Sequence, residues 1–105
     1  MPAGINNEAW NEIGLAGLKV IMGLALVGGV GGWVDIVRPT RIGRGTWERA
    51  REVLVRYGLA IEEQRGREVQ LRLTERGWAV AKLLFEIDSI LSSSSMPSTT
   101  TSSPG

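Results

Sequence analysis

The chain contains neither cysteine nor histidine. Without thiols there can be no disulfide and no cysteine nucleophile, and without either residue the usual Cys/His zinc sites and imidazole-based triads are excluded. A cysteine-free chain suits any redox compartment. A signal-peptide pattern is also missing, since residues 1–7 are polar and uncharged rather than basic and then apolar. The stretch 20–34 has fifteen residues without a charge, but five of them are glycine. As a helix it would cover roughly 22 Å, short of a hydrocarbon core of about 30 Å. It reads as the end of a buried helix followed by a turn, in a cytoplasmic protein with no membrane partner. The glycines at Gly28–Gly32 are not followed by the Gly-Lys-Ser/Thr of a phosphate loop, and no nucleophile–base set or spaced acid pair accompanies them. The expectation is a non-enzyme without cofactor or metal.

What the chain does have is arginine, unevenly placed. The net charge is only +1, so no overall attraction to a polyanion follows from it. Residues 38–67 nevertheless carry Arg38, Arg41, Arg44, Arg49, Arg51, Arg56, Arg65 and Arg67 against Glu48, Glu52, Glu62 and Glu63, a net +4. The remainder of the chain is net −3. The basic charge is focused on the middle.

At 105 residues there is room for one domain with a modest core. Helical spacing of apolar residues predicts a first helix over 7–27, capped by Asn6 or Asn7 and weakened by Gly14 and Gly17, where a bend is expected. Residues 33–38 predict a short helix ending at or before Arg38, because the residue preceding a proline is pushed from the α region. Thr46 is the expected N-cap of a helix over 46–57, with Ala50, Val53, Leu54 and Tyr57 on its apolar face. Alternation over 59–64 and 67–73 predicts a two-stranded ribbon turning at Arg65-Gly66, with Leu59, Ile61 and Glu63 sharing a face. Val30 is a candidate third strand. Thr74 caps a last helix over 74–91. The Ser/Thr/Pro segment 92–105 has almost nothing to bury and is expected to be disordered.

Helix, ribbon, helix in this order resembles the winged helix-turn-helix, in particular MarR-like and PadR-like DNA-binding regulators. Two stretches carry the resemblance. Thr46, Leu54, Gly58 and Leu59 are similar to a recognition helix closing in an apolar residue, then Gly-Leu. Leu73-Thr74-Glu75-Arg76-Gly77 is similar to the Leu-Thr-x-x-Gly passage from wing to last helix. The resemblance spans roughly residues 33–91 and implies an α+β, mostly α, winged-helix domain over 1–91. It also implies a dimer that binds double-stranded DNA, usually as a transcriptional regulator. Segregation or replication accessory factors of the same build, and a winged helix used for protein–protein contact through wing or tail, are the alternatives.

On that reading Arg44, Thr46, Trp47 and Arg51 on the third helix, Arg38 and Arg41 before it, and Arg65 and Arg67 at the ribbon tip are the candidate DNA contacts. Arginine suits the role because its planar fork can bond guanine O6 and N7 together. Arg49 and Arg56 are expected on a solvated face, with Glu52 pairing Arg56 at i, i+4. Trp47 has two readings, a contact with a thymine methyl or sugar, and packing against the preceding turn. Two half-sites call for two copies. Trp10, Ile13, Trp78, Leu84, Ile87 and Leu91 on the terminal helices are the candidate homodimer contacts, since the last helix carries more apolar surface than one small domain needs.

Overall fold

The computed structural model describes residues 4–93. Asn6 opens the first helix, α1 (Asn7–Leu26), its side-chain oxygen accepting the Ala9 N–H at 3.1 Å. Gly14 interrupts α1 with φ 62° and ψ 178°, a backbone region essentially reserved for glycine. The part before the kink is exposed on most sides; the part after it enters the core, with Val20, Ile21 and Leu24 fully buried. Among the described residues α1 is long and apolar enough to cross a membrane. Here its second half is covered by protein instead. At Gly23 a Cβ would lie 2.8 Å from Thr40 and 3.0 Å from Ile36, so the missing side chain is what lets the next helix pack this closely.

The chain reverses over 27–29 into β1 (Val30–Gly31) and then α2 (Trp33–Thr40). Asp35 accepts the Gly32 N–H at 2.8 Å, which caps α2. Contrary to expectation α2 does not stop at Arg38 but runs through Pro39. The proline falls in the last turn, where one backbone bond is lost, and Thr40 Oγ1 closes the turn by donating to the Ile36 carbonyl at 2.6 Å. Arg41 ends the helix in the left-handed region at φ 59°.

Helix α3 (Arg44–Arg56) begins two residues earlier than Thr46, with Gly43 as its N-cap and no side chain capping it. Thr46 lies within the first turn, exposed. The turn is set by Gly43, whose carbonyl accepts the Trp47 N–H at 3.0 Å. The buried face of α3 is Trp47, Ala50, Val53 and Leu54.

Strands β2 (Ala60–Arg65) and β3 (Glu68–Leu73) form the ribbon, and β1 joins the free side of β3 to give the antiparallel order β1-β3-β2. The two-residue loop Gly66-Arg67 has its glycine at φ 63°, as hairpin turns with glycine first require. The register pairs Ala60, Glu62 and Gln64 with Leu73, Leu71 and Val69, and partners directly opposite share a face. The inward face of β2 therefore starts at Ala60, and Ile61 points away, 48% exposed. The alternation expected from Leu59 was out by one residue because Leu59 precedes the strand, its N–H held by the Leu54 carbonyl at 2.9 Å.

Thr74 Oγ1 accepts the Gly77 N–H at 3.1 Å and donates to the Gly58 carbonyl at 2.7 Å. It thereby caps α4 (Glu75–Ser93) and ties it to the end of α3. Helix α4 continues two residues past the expected Leu91; the expectation of disorder over 94–105 lies outside the described residues. Ile21, Leu24, Ile36, Trp47, Leu54 and Leu71 are the largest fully buried side chains. Each is worth about 1.5–3 kcal/mol in apolar transfer. They join α1, α2, α3 and the inner face of the sheet into one core.

Candidate nucleic-acid interface

The outer side of α3, its approach from α2, and the hairpin tip present most of the candidate residues together. Arg38 is exposed in the last turn of α2 and Arg41 is exposed at its C-cap. Arg44 is the first residue of α3. Its guanidinium lies over the Trp33 ring at 5.3 Å, and its Nε is 3.5 Å from Glu48. Trp33 is fixed in turn by donating Nε1–H to the Ile42 carbonyl at 2.9 Å. Gly43, as N-cap, brings no side chain to the first backbone N–H groups of α3, so these donors remain for an outside acceptor.

Trp47 is not among the outward residues. It is 2% exposed and belongs to the core, which removes it from the candidate contacts. Residue 47 lies three positions before Ala50 and seven before Leu54, so helical spacing puts it in the apolar stripe wherever the helix begins. Of the two readings of Trp47, packing is correct.

Arg51 is less free than its position on the helix suggests. Its Nη2 donates to Glu48 at 2.6 Å, and its Nε lies 3.6 Å from Glu62 on β2 with no hydrogen-bond partner. The guanidinium thus bridges α3 and β2, and 21% of the side chain is exposed. Arg65 ends β2, Arg67 sits in the turn, and both are exposed.

Two further contacts hold the frame. Glu12, on the first part of α1, accepts from the Tyr57 hydroxyl at 2.5 Å and from Arg56 Nη2 at 3.3 Å. The bond to this carboxylate, with partial desolvation, holds the Tyr57 pKa above its ordinary 10.0. Arg56 therefore pairs with Glu12 and not with Glu52 as helical spacing had suggested. On the ribbon, Arg72 grips both carboxylate oxygens of Glu63; this pairing lowers the Glu63 pKa and raises that of Arg72. The Glu63–Arg72 pair joins neighbouring strands on one face of the ribbon, and it was missed because the expected alternation put Glu63 on the other face. The Glu12 contacts were missed because nothing in the sequence connects positions so far apart.

Rotation around α3 orders its charges. The buried stripe leaves Gly45, Glu48 and Glu52 outermost. Arg44 and Arg51 fall on the wing side of that line, and Arg49 and Arg56 on the other.

A second surface, where α4 packs on α1, is apolar and open. Between α4 and α1, on both sides of the Gly14 kink, lies a cavity of about 340 Å³ lined in part by Trp10, Leu18, Leu84, Ile87 and Leu91. Trp10, Ile87 and Leu91 are exposed by 55%, 50% and 66%. Ile13 and Leu84 are half-buried against the core, and Trp78 is half-covered, lying against Gly29. Helix α4 also exposes Leu83 and Ile90, which the sequence reading had not placed in the dimer surface.

No protein-family model and no curated protein matches the chain. Solved structures do. One concerns the regulation of DNA binding of Bordetella bronchiseptica BpsR by 6-hydroxynicotinic acid; it superposes with a TM-score of 0.68 at 20% identity, covering 94% of this chain and 71% of that one. Another is the transcriptional repressor BigR from Xylella fastidiosa, with a TM-score of 0.55 at 18% identity and 88% of each chain covered.

Proposed function

We propose that this chain, whose helical order and three-stranded antiparallel sheet form a winged helix, is a sequence-specific, dimeric, double-stranded DNA-binding protein acting as a cytoplasmic transcriptional regulator. The observation that carries this reading is the grouping of exposed Arg38, Arg41, Arg44, Arg65 and Arg67 around a reading helix whose N-cap is a bare glycine. Helix α3 enters the major groove, its first turn and Thr46 meet a phosphate, and the wing tip carries Arg65 and Arg67 to the neighbouring backbone or minor groove. Arg51 contributes mainly by holding helix and wing in one geometry. The structural neighbours support the reading, since one is described through its DNA binding and the other as a repressor.

The exposed apolar surface of α4 and of the first part of α1 supplies the second half of the proposal. A patch rimmed by charge and built from Trp10, Leu83, Ile87 and Ile90 fits self-association, and a twofold pair would present two reading helices to two half-sites. Fluorescence anisotropy with a random duplex in low salt tests the DNA-binding half. Binding is expected to weaken steeply with salt, by roughly 0.9 in log affinity per log salt for each phosphate neutralised. Absence of binding at micromolar protein would remove the proposal. Sedimentation tests the dimer separately.

A further inference from the structure

We propose that Glu52 is the base-reading residue of helix α3, accepting a hydrogen bond from the exocyclic amine of a cytosine in the major groove. The inference rests on the DNA-binding reading above and gives it a chemical specificity. Glu52 is exposed near the middle of α3, on the outermost line of the helix. Among the described residues it has no ion pair, although Arg56 stands one turn away at i+4, because Arg56 pairs with Glu12 on α1 at 3.3 Å. Glu48, the other acid on that line, is occupied by Arg51 at 2.6 Å and Arg44 at 3.5 Å. The fold therefore neutralises one carboxylate and leaves the other open.

The surrounding charges match a groove. A helix seated in the major groove meets base edges along its outermost line and phosphates on its two flanks. Arg44 and Arg51 occupy one flank and Arg49 and Arg56 the other, so the centre is the position where an acid is not opposed by phosphate. An ionised carboxylate accepts hydrogen bonds and donates none. The major-groove edges of guanine and thymine offer it only acceptors or a methyl group. Adenine offers its amine beside the N7 acceptor, which repels a second acceptor, whereas cytosine offers the amine alone. Cytosine is the base that a lone carboxylate selects.

The test is selection of bound sites from a randomised duplex pool by the full chain, its Glu52→Gln variant and its Glu48→Gln variant. The native protein is expected to enrich cytosine at one position per half-site. The Glu52→Gln variant should lose that preference by roughly 5- to 150-fold and turn toward adenine, whose N6 and N7 an amide matches. Glu48→Gln should leave the cytosine position in place. An unchanged profile for Glu52→Gln overturns the proposal, as does a uniform change in affinity over all sequences or the loss of cytosine in the Glu48 variant instead. If the native chain binds no duplex, the DNA-binding reading itself is lost, and this inference with it.

Discussion

Two exposed surfaces of this molecule are built in opposite ways. Around α3 and the wing, most exposed side chains are charged, Val55 and Ile61 aside, and many are held by named partners: Glu48 to Arg51, Glu12 to Arg56, Glu63 to Arg72. One face of α4, with Trp10 of α1, instead exposes large apolar side chains, including Leu83, Ile87 and Ile90. The charged surface is stable in water as it stands. The apolar one leaves area that water covers at a cost of about 25 cal/mol per Å². The exposed basic residues and the surplus apolar residues thus lie on different surfaces.

The sharpest way to break this comparison is Trp47, which lies on the charged helix yet belongs to the core. Trp47→Ala is expected to lower the unfolding free energy by about 3–5 kcal/mol, read by urea denaturation; a small stability change with a large loss of DNA affinity would return it to the charged face. On the apolar face of α4, Ile87→Glu places a carboxylate in the centre of the exposed surface. It should give monomers in sedimentation velocity with helix content retained, and a surviving dimer would move self-association elsewhere. Gly14→Ala asks whether the kink that separates the two parts of α1 is fixed. A non-glycine residue at φ 62° and ψ 178° should cost on the order of 1–3 kcal/mol, and an unchanged denaturation midpoint would argue against a fixed kink.

Smaller effects are expected at the wing. Arg65→Ala together with Arg67→Ala should flatten the salt dependence of DNA binding by roughly 0.9 per arginine, with the melting curve almost unmoved. A slope equal to that of the native protein would take the tip out of the interface. The smallest effect is acid sensitivity of the ribbon. Because Arg72 holds the Glu63 pKa below its ordinary 4.5, the stabilisation is present above that value and is lost as pH falls through the lower, folded-state pKa. Amide exchange in β2 and β3 should quicken in that window, and Arg72→Met should abolish the dependence.

Helix periodicity, the ribbon, the glycine turn at Gly66 and the capping role of Thr74 were legible from residue order, because each depends on neighbours in sequence. The start of α3 was not. Thr46 is a good capping residue by type, but the chain arriving from Arg41 begins to coil at Gly43; the burial of Trp47 follows from helical spacing alone, three residues before Ala50 and seven before Leu54. Pro39 misled in the same manner, since its penalty falls on a last turn that Thr40 closes with its own hydroxyl. Among the candidate contacts, the exposure of the arginines at the helix start and wing tip follows from their type and place. The pinning of Arg51 by Glu62 depends on how β2 folds against α3, and the capture of Arg56 by Glu12 joins residues 44 positions apart. Local rules cannot anticipate either.

Tyr57 is the only tyrosine in the chain, and its hydroxyl is the group through which α3 holds Glu12. That makes the contact optically visible without any label. While the first part of α1 rests on α3, the phenol ionises above its ordinary value of 10.0; once the two separate, the phenolate absorbance should rise at lower pH. The contact stabilises the fold below the free phenol's pKa and is lost as pH climbs through the raised one. A spectrophotometric titration thus reads the seating of the N-terminal arm on the reading helix, in the free protein or in any complex that moves it.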